Sequence, residues 1–293
     1  MKPTDFPPEV YIENTNRCNI HCTICPREKL TRPQGVMDLG LFEKIMKEVS
    51  MHRDDVTRLH LHNFGEPLLD KDLAKRVKIA KDRGMRHTYF VTNGSLFTEA
   101  RAREIIEAGL DEMKFSFYGT DPETYNSTMV GLDFNDTISK VSVFFKTRKE
   151  LGRKNPKVII QYIGTPTNKC MTKEFTQLVN PFLDRSLGDS VFIAPLYNYG
   201  DGRSFIKMGD IARICTFPWR VMVILINGDV VLCAPDYNGD QVIGNVRDKS
   251  IHEIWNGDAY RKVREDFRGF KYEKYPVCGK CTVVCDTVSS WND

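Results

Sequence analysis

The sequence predicts an α/β protein with a parallel sheet, followed by a small C-terminal unit of a different kind. From residue 9 to about residue 195, β-rich apolar runs alternate with amphipathic helical runs, as they do in consecutive βα units. Several helical runs stop at a glycine, as expected at a helix C-terminus: Gly84, Gly109 and Gly152. After about residue 201 the alternation gives way to a hairpin pattern and clustered cysteines.

Six runs have strand character: EVYIEN, VTRLHLHNFG, HTYFVTNG, EMKFSFYG, KVIIQYIG and SVFIAPLY. Six βα units form either an open parallel barrel or a doubly wound sheet, and periodicity alone does not choose between them. In both folds, ligands bind at the carboxyl ends of the strands. Polar motifs follow the first four strands, namely the cysteine loop, NFGEP, TNG and YGTDPE. The sequence therefore predicts a single site at this end of the sheet.

The composition is that of an ordinary globular protein, with 293 residues, 41% hydrophobic and 28% charged residues, and a net charge of +3. Such a mild positive charge does not predict nucleic-acid binding. The basic stretches 146–157 and 261–274 are predicted to be a solvated helix end and a solvated helix face. No signal peptide or bilayer-spanning run is present, which predicts a cytoplasmic protein without a membrane partner.

Nine cysteines, an odd number with clustered spacing, indicate metal binding rather than a disulfide framework. Cys18, Cys22 and Cys25 follow the first strand with the spacing C-x3-C-x2-C. A structural zinc ion needs a fourth ligand, for which His21 is available. An iron-sulfur cube held by three thiolates leaves one iron open, and an open iron can bind and activate a ligand.

The motif CNIHCTIC, placed after the first strand, resembles the cysteine loop of the radical S-adenosylmethionine (SAM) enzymes. This resemblance implies a partial (β/α)6 TIM-like barrel, which we assign to residues 1–205. It also implies a 4Fe-4S cluster whose open iron chelates SAM, and reductive cleavage of SAM to a 5'-deoxyadenosyl radical. The NFGEP motif is similar to the Gly-Gly-Glu motif of the family, although Phe64 replaces the first glycine.

The resemblance also implies SAM-binding positions. Glu66 of NFGEP would accept from the SAM ammonium group, Ile24 would meet the adenine, and Ser116 would bind the ribose. Asn93 and Gln161, on the third and fifth strands, are further candidates. For Asn93, an ordinary Asn-Gly turn is the alternative.

The C-terminal cysteines resemble those of SPASM and related twitch domains. Cys215, Gly228 and Cys233 fit the opening of that pattern, and GNVRDKSIHEIW and CGKC continue it in order. We therefore expect residues 206–293 to form a twitch domain, a β-hairpin turning at Asn227-Gly228 followed by a helix over SIHEIWNGDAYRKVREDF. One auxiliary 4Fe-4S cluster would be held by Cys215, Cys233, Cys278 and Cys281, with a zinc site as the alternative.

Two cysteines remain. Cys170 is expected to be a small buried hydrophobic residue. Cys285 lies four residues after Cys281, one helical turn away if that segment is helical, and therefore near the auxiliary cluster. It is a candidate catalytic residue that donates a hydrogen atom to a substrate radical, or else a cluster ligand or an inert side chain.

The leading functional hypothesis is a radical SAM oxidoreductase that acts on a hydroxyl-bearing carbon and passes an electron to the auxiliary cluster. Only seventeen residues precede Cys18, which favours a small sugar or aminocyclitol over a peptide. The electron donor would be a protein such as flavodoxin or ferredoxin. The alternatives are an epimerase with a cysteine hydrogen donor, a peptide-modifying SPASM-type enzyme, a zinc-binding scaffold and an electron carrier. Candidate substrate contacts, for which core roles are equally open, are His60, His62, Asn63 and Tyr118.

Overall fold

The computed structural model describes residues 2–164, 171–196, 198 and 215–281. Cys170 and Cys285 lie outside these ranges, as does the predicted domain boundary at residues 205 and 206, so the expectations about them stay predictions. Within the described ranges no helix is long and apolar enough to span a bilayer.

Six parallel strands form the main sheet, and all six correspond to predicted runs. They are β1 (Glu9–Ile12), β3 (Arg58–His60), β4 (Thr88–Thr92), β5 (Glu112–Ser116), β7 (Lys157–Gly164) and β8 (Ser190–Pro195). Each strand pairs with the next one along the chain, so the order in the sheet is β1-β3-β4-β5-β7-β8. A doubly wound sheet would reverse direction at a switch point, and this order has none. The predicted partial (β/α)6 barrel is therefore confirmed.

Amphipathic helices cover the outer face of the strands. They are α1 (Leu39–Met51), α2 (Leu73–Asp82), α3 (Glu99–Glu107), α5 (Phe134–Glu150) and α6 (Thr172–Val179). In α1 the buried residues recur at helical spacing, at Leu41, Ile45 and Val49 with Phe42 and Met46 beside them. Side chains from Asp38, Thr98 and Asp133 cap the starts of α1, α3 and α5.

Three short elements were not predicted. Helix α4 (Pro122–Thr128) follows the motif YGTDPE and begins at the capping residue Asp121. It leads directly into β6 (Met129–Val130), which pairs in antiparallel fashion with β2 (His21–Cys22). These strands have two residues each, too few for a periodic signal in the sequence. Their pairing fixes part of the cysteine loop.

The C-terminal hairpin extends the barrel sheet. Strand β9 (Val221–Ile224) pairs in parallel with β1, and β10 (Asp229–Val231) and β11 (Val242–Asn245) follow it in antiparallel order. Gly228 stands at the predicted turn with φ +94°, a conformation that favours glycine. The predicted hairpin is confirmed, and its backbone hydrogen bonds to β1 attach this part of the C-terminal segment to the barrel.

The single helix predicted over SIHEIWNGDAYRKVREDF is wrong in one respect, because the structure has two helices there. Helix α7 (Ile251–Trp255) ends before Gly257, and α8 (Asp258–Arg268) begins after it. A Cβ atom at residue 257 would lie 2.8 Å from the Glu253 carbonyl oxygen, so the close turn requires glycine. The face of α8 is also not wholly solvated, since Arg264 is buried with its guanidinium 4.3 Å from the Trp255 ring centre.

The predicted solvated end of α5 is likewise only partly solvated. Arg148 is buried and pairs with the buried Asp189, which precedes β8. The helix end packs against the amino-terminal ends of β7 and β8, which places the guanidinium inside the protein. A basic residue near a helix C-terminus has the same sequence pattern whether it faces water or a buried carboxylate.

Candidate active site

A cavity of about 570 Å³ opens at the carboxyl ends of the barrel strands and continues along their inner faces. All three cysteines of the first cluster motif line it. All five predicted SAM contacts and all four predicted substrate contacts line it as well: Ile24, Glu66, Asn93, Ser116, Gln161, His60, His62, Asn63 and Tyr118. The structure therefore brings together every barrel residue that the sequence assigned to the site.

Backbone hydrogen bonds from three directions hold the cysteine loop. The Thr23 amide donates to the Thr128 carbonyl at 2.9 Å, beside the β2–β6 pair. The Cys25 amide donates to the Cys22 carbonyl at 3.0 Å, which closes a turn between these two ligand candidates. The Glu66 amide donates to the Arg17 carbonyl at 2.8 Å. The loop is thus tied to NFGEP and to the segment after α4.

The thiols of this loop fit a cationic cluster. Burial, followed by the charges of Cys25 and Cys18, raises the pKa of Cys22. Burial also raises the pKa of Cys18, with Glu66 contributing in the same direction. Three adjacent thiolates are therefore costly at this place unless a positive centre neutralises them. His21, the possible fourth zinc ligand, instead places Nδ1 against the Glu28 carboxylate.

Glu66 is a buried carboxylate that joins two strand ends. Its Oε1 accepts from the Thr92 hydroxyl at 2.6 Å and from the Leu68 amide at 3.0 Å, and Oε2 accepts from the Asn93 amide at 2.7 Å. Burial raises its pKa to about 7, although these three hydrogen bonds act in the opposite direction. A carboxylate has about four lone-pair sites. Glu66 thus retains capacity to accept one more hydrogen bond.

The side chain of Asn93 connects β4 to the cysteine loop. Its Nδ2 donates to Asn19 Oδ1 at 3.0 Å, and its Oδ1 accepts from the Ser95 amide and hydroxyl at 2.9 and 2.7 Å. Asn19 Nδ2 in turn donates to Ser95 Oγ at 2.9 Å. Gly94 has φ +75°, so the predicted turn is present together with the cavity-lining position. Asn19 and Ser95 were not identified from the sequence because their pairing depends on two distant loops meeting.

Ser116 and Gln161 are neighbours across the paired strands β5 and β7. Both line the cavity, Ser116 as the last residue of β5 and Gln161 from the middle of β7. Ile24, which lies between two of the cysteines, is buried and also lines the cavity. Together these residues give the cavity wall both polar groups and an apolar side chain.

The four C-terminal ligand candidates also lie together. Burial raises the pKa of Cys233 well above its usual value, and the charges of Cys278, Cys215 and Cys281 act in the same direction. The Cys281 amide donates to the Cys278 carbonyl at 3.2 Å within a short 3-10 turn. None of the seven described cysteines forms a disulfide. Four cysteines that are near enough for their charges to interact are a suitable donor set for an iron-sulfur cluster.

A loop after Cys233 reaches from this second cysteine set to the cavity. Ala234 and Pro235 line the cavity together with the first three cysteines. Further along the loop, the Tyr237 carbonyl accepts from Arg32 Nε at 2.7 Å, and the Phe64 ring lies 5.6 Å from the Tyr237 ring. Phe64, which departs from the family motif, therefore contacts the loop that carries Cys233. The sequence did not identify Ala234 and Pro235 because their residue types carry no chemical signal.

A layer of aromatic and ionisable side chains lines the deeper part of the cavity. Tyr11, His60, His62, Tyr89 and Lys114 project from four neighbouring strands or their ends. The His60 ring stacks on Tyr11 with centres 3.6 Å apart, and His60 Nε2 lies 3.1 Å from Glu9 Oε2. Tyr11, Tyr89 and Lys114 were not predicted. Like Ser116 and His60, they occupy alternate strand positions whose side chains face the interior of the barrel.

Acidification is expected to destabilise the protein through His60. Burial lowers its pKa from 6.5 to about 4, so between these values the unfolded chain binds a proton that the folded chain does not. Stability is therefore fully present above pH 6.5 and decreases as the pH falls, by about 3 kcal/mol once pH 4 is reached. Urea unfolding at a series of pH values measures this slope, which should become shallower in His60→Gln. An identical slope in the variant would contradict the assignment.

Comparison with known proteins assigns the barrel to a family. The model of the Radical SAM superfamily matches residues 12–178, more than half of the chain. The chain belongs to the radical SAM superfamily. A second family model, described as the SPASM iron-sulfur cluster-binding domain, matches residues 215–282. The resemblance inferred from the two cysteine patterns is thereby confirmed, and the chain is an enzyme of this superfamily.

Several relatives match nearly the whole radical SAM chain, two of which follow. The tungsten-containing aldehyde ferredoxin oxidoreductase cofactor-modifying protein of Pyrococcus furiosus is 25% identical over 96% of this chain and 89% of its own length. The S-adenosyl-L-methionine-dependent 2-deoxy-scyllo-inosamine dehydrogenase of Niallia circulans is 24% identical over 94% of this chain and 92% of its own. The names of these two relatives refer to different molecules, so neither function can be assigned directly to this chain.

Solved structures support the same fold. BtrN in complex with AdoMet and 2-DOIA superposes with a TM-score of 0.65 at 21% identity, covering 94% of this chain and 93% of that one. Streptococcus suis SuiB bound to the precursor peptide SuiA gives a TM-score of 0.67 at 16% identity, covering 89% and 67%. At such identities the likeness concerns the fold alone.

Family membership specifies the cofactors. A radical SAM domain implies a 4Fe-4S cluster and SAM, and a SPASM domain implies auxiliary iron-sulfur clusters. The partly or fully buried, mutually repelling thiols of both cysteine sets fit such groups. The zinc-scaffold and electron-carrier alternatives are therefore set aside.

Gly65 is expected to tolerate no side chain. A Cβ atom there would lie 2.2 Å from the Thr15 carbonyl oxygen and 2.8 Å from that of Arg17, both in the backbone just before the cysteine loop. Gly65→Ala should therefore displace this loop, lower the free energy of unfolding by about 1–3 kcal/mol and reduce the iron bound per chain. Gly35→Ala is the control, since its Cβ would meet Ile226 Cδ1 at an ordinary 3.5 Å. Equal stability and iron content in both variants would contradict the expectation.

Proposed function

We propose that this radical SAM enzyme is an oxidoreductase that removes hydrogen from a hydroxyl-bearing carbon of a small carbohydrate-like molecule. The remaining electron passes to an auxiliary cluster. The observation that carries the proposal is that one cavity is lined both by the first three cysteines and by Ala234 and Pro235, which follow Cys233. A molecule bound in this cavity lies between the two sets of cysteines.

The cofactor positions in this proposal follow the cavity wall. Cys18, Cys22 and Cys25 hold the cluster that binds SAM, and Cys215, Cys233, Cys278 and Cys281 hold the auxiliary cluster. When bound, the first cluster and SAM supply a 5'-deoxyadenosyl radical that abstracts a hydrogen atom. Ile24 packs against the adenine, while Ser116, Asn93 and Gln161 form the polar side of the SAM pocket. We also propose that the twitch unit begins at residue 206.

Glu66 is proposed to bind the SAM ammonium group. Its carboxylate is buried, its position is fixed by Thr92, Leu68 and Asn93, and its remaining lone pair is free for one further donor. Charge-assisted hydrogen bonds to a buried carboxylate are stronger than neutral ones. The three existing bonds keep the carboxylate in one orientation, so the ammonium meets a preformed acceptor.

The atoms and electrons of the proposed reaction can all be accounted for within this site. Conversion of a secondary alcohol to a ketone releases one hydrogen atom, one electron and one proton. The 5'-deoxyadenosyl radical would take the hydrogen atom, the auxiliary cluster would take the electron, and an acceptor in the cavity would take the proton. Glu9 and His60 line the cavity with Oε2 and Nε2 3.1 Å apart, and they are candidates for that last role as a pair.

The small-molecule class of substrate rests on two supports. The cavity volume of about 570 Å³ is in the range of small-molecule sites and is shared with SAM. The relative from Niallia circulans that matches nearly the full chain is a dehydrogenase of 2-deoxy-scyllo-inosamine, a hydroxyl-bearing ring. We further propose that flavodoxin or ferredoxin reduces the first cluster. We also propose that the protein is cytoplasmic. The epimerase alternative depends on Cys285, which lies outside the described residues.

Deuterium transfer tests this function. The reconstituted protein would be given SAM, dithionite and, one at a time, sugars, sugar acids, sugar phosphates and aminocyclitols deuterated at their carbinol carbons. The expected result is that one class yields deuterated 5'-deoxyadenosine together with a ketone of the added compound. The matched variant Cys233→Ala should still transfer deuterium but form little ketone. Unlabelled 5'-deoxyadenosine with every compound would overturn the proposal.

A further inference from the structure

Lys114 lies one layer of side chains deeper in the barrel than the proposed SAM pocket. It precedes Ser116 by two residues on β5, and both residues line the cavity. A strand rises by about 3.3 Å per residue, so the two Cα atoms are about 6.6 Å apart along the strand. The ammonium group of Lys114 therefore faces the part of the cavity that remains for a substrate below SAM.

Lys114 has no counter-ion within the part of the chain that the structure describes. Among the residues that the structure describes, its ammonium forms no ion pair and donates no hydrogen bond; its neighbours are the rings of Phe192 at 4.8 Å and Tyr89 at 5.8 Å. Glu112, on the same strand, instead lies 3.6 Å from Arg58 and 3.5 Å from His87. Burial lowers the pKa of Lys114 to about 8, although the charge of Glu112 partly opposes this shift. A partly buried cation without an anionic partner among the described residues is less favourable than a solvated one.

The other charges around this layer are already neutralised. Glu9 accepts from the Arg220 guanidinium at 2.6 Å and also contacts His60. Burial lowers the pKa of His60 to about 4 and that of His62 well below its usual value, so both rings are neutral at pH 7. With Glu9 and Glu112 paired to arginines, Lys114 leaves this part of the cavity with an unbalanced positive charge.

Two imidazole nitrogen atoms lie in the same layer of side chains as the Lys114 ammonium group. The Nδ1 atoms of His60 and His62 are buried and have no hydrogen-bond partner within the described ranges. In neutral His60 the proton on Nε2 donates to Glu9, which leaves a lone pair on Nδ1. Because His60 lines the cavity, a bound molecule that places a hydroxyl group against its ring would satisfy this atom. The cavity wall thus contains both a cation and a hydroxyl acceptor.

We propose that the substrate carries a carboxylate or phosphate group, which binds the Lys114 ammonium, and hydroxyl groups, one of which donates to His60. This inference rests on the proposed function and narrows its substrate class to acidic or phosphorylated sugars and polyols. An aminocyclitol, which carries its own ammonium group, would meet Lys114 as a like charge in a buried site, and such a contact disfavours binding.

Calorimetric titration of the reconstituted, SAM-loaded protein tests the proposal by binding rather than by turnover. The probes share one sugar skeleton: D-gluconate, D-glucose 6-phosphate, neutral D-glucitol and cationic D-glucosamine. We expect one anionic probe to bind at least about tenfold more tightly than glucitol, as charge-assisted hydrogen bonds require. Tighter binding of gluconate assigns a carboxylate, and tighter binding of glucose 6-phosphate assigns a phosphate. Glucosamine should bind most weakly.

Three variants make the test specific. Lys114→Met should abolish the preference for the anion without unfolding the protein, because the ammonium forms no ion pair with the described residues that the variant would lose. Lys114→Arg keeps the charge and should keep most of the preference. Lys146→Met, at a position whose side chain is 77% exposed, should bind like the wild type.

The proposal would be overturned by equal binding of all four probes, by the absence of measurable binding of any of them, or by a preference that survives in Lys114→Met. None of these results would alter 5'-deoxyadenosine formation or deuterium transfer. Failure of this inference is therefore distinguishable from failure of the proposed function.

Discussion

Cys22→Ala protein, reconstituted with iron and sulfide, should lack the SAM-binding cluster and retain the auxiliary one. Cys22 lies between the other two cysteines of the loop, lines the cavity and belongs to the two-residue strand β2. Two thiolates do not hold a cube that already leaves one iron open, so about four irons per chain should be lost. Iron and sulfide analysis and the electron paramagnetic resonance spectrum of the reduced protein measure the loss.

Two further variants complete the cysteine experiment. Thr23→Ala changes the neighbouring residue in the same loop without removing a thiol and should leave the iron content unchanged. Cys233→Ala should show the reverse loss, with the auxiliary cluster missing and the SAM-binding cluster present. Unchanged iron content in Cys22→Ala would refute the assignment of the first cysteine set.

Asp189→Ala should lower the free energy of unfolding by about 3–5 kcal/mol, the usual cost of leaving a buried charge unpaired. The Asp189 carboxylate accepts from both terminal nitrogens of Arg148, at 2.8 and 2.5 Å. It also accepts from the backbone amides of Val158 and Asp184, each at 2.9 Å. Removal of the carboxylate therefore leaves one guanidinium and two amides without their acceptor, at the edge where β7 and β8 meet.

Asp82→Ala is the matched control for this experiment. Asp82 pairs with Lys78 on the surface of α2, and both side chains are more than half exposed, at 61% and 65%. An exposed pair of this kind contributes about 0.5 kcal/mol or less. Urea unfolding of both variants gives the comparison, and a similar small change for the two would show that the buried pair does not hold this edge.

The barrel could be predicted from the sequence because its signals are local. Each of the six strands is an apolar run, and the glycines that end the helices take positive φ at Gly84, Gly109 and Gly152. The choice between barrel and doubly wound sheet required the order of strand pairing. That order depends on contacts between distant residues, so the hydrophobic periodicity of the sequence could not predict it. The resemblance to a family predicted the barrel instead.

That Cys18, Cys22 and Cys25 lie together on the cavity wall could also be predicted, because thiol spacing within one loop is a local signal. The remainder depends on tertiary contacts. Lys114 is one of many lysines in the sequence, and its lack of a counter-ion becomes apparent only when β3, β5 and β8 are assembled around it. Arg148 was expected at a solvated helix end, and its buried partner Asp189 is distant in the sequence. Ala234 and Pro235 line the cavity only because of where the fold places them, and their residue types carry no chemical signal.

The central claim is that the cavity holds a cluster and SAM and cleaves SAM reductively. The most direct measurement is 5'-deoxyadenosine formation by the anaerobically reconstituted protein with SAM and dithionite, beside the Cys18→Ala, Cys22→Ala, Cys25→Ala triple variant. Our account predicts 5'-deoxyadenosine and methionine in equal amounts from the wild type and none from the variant. A wild-type protein fully loaded with iron that forms no 5'-deoxyadenosine would contradict it.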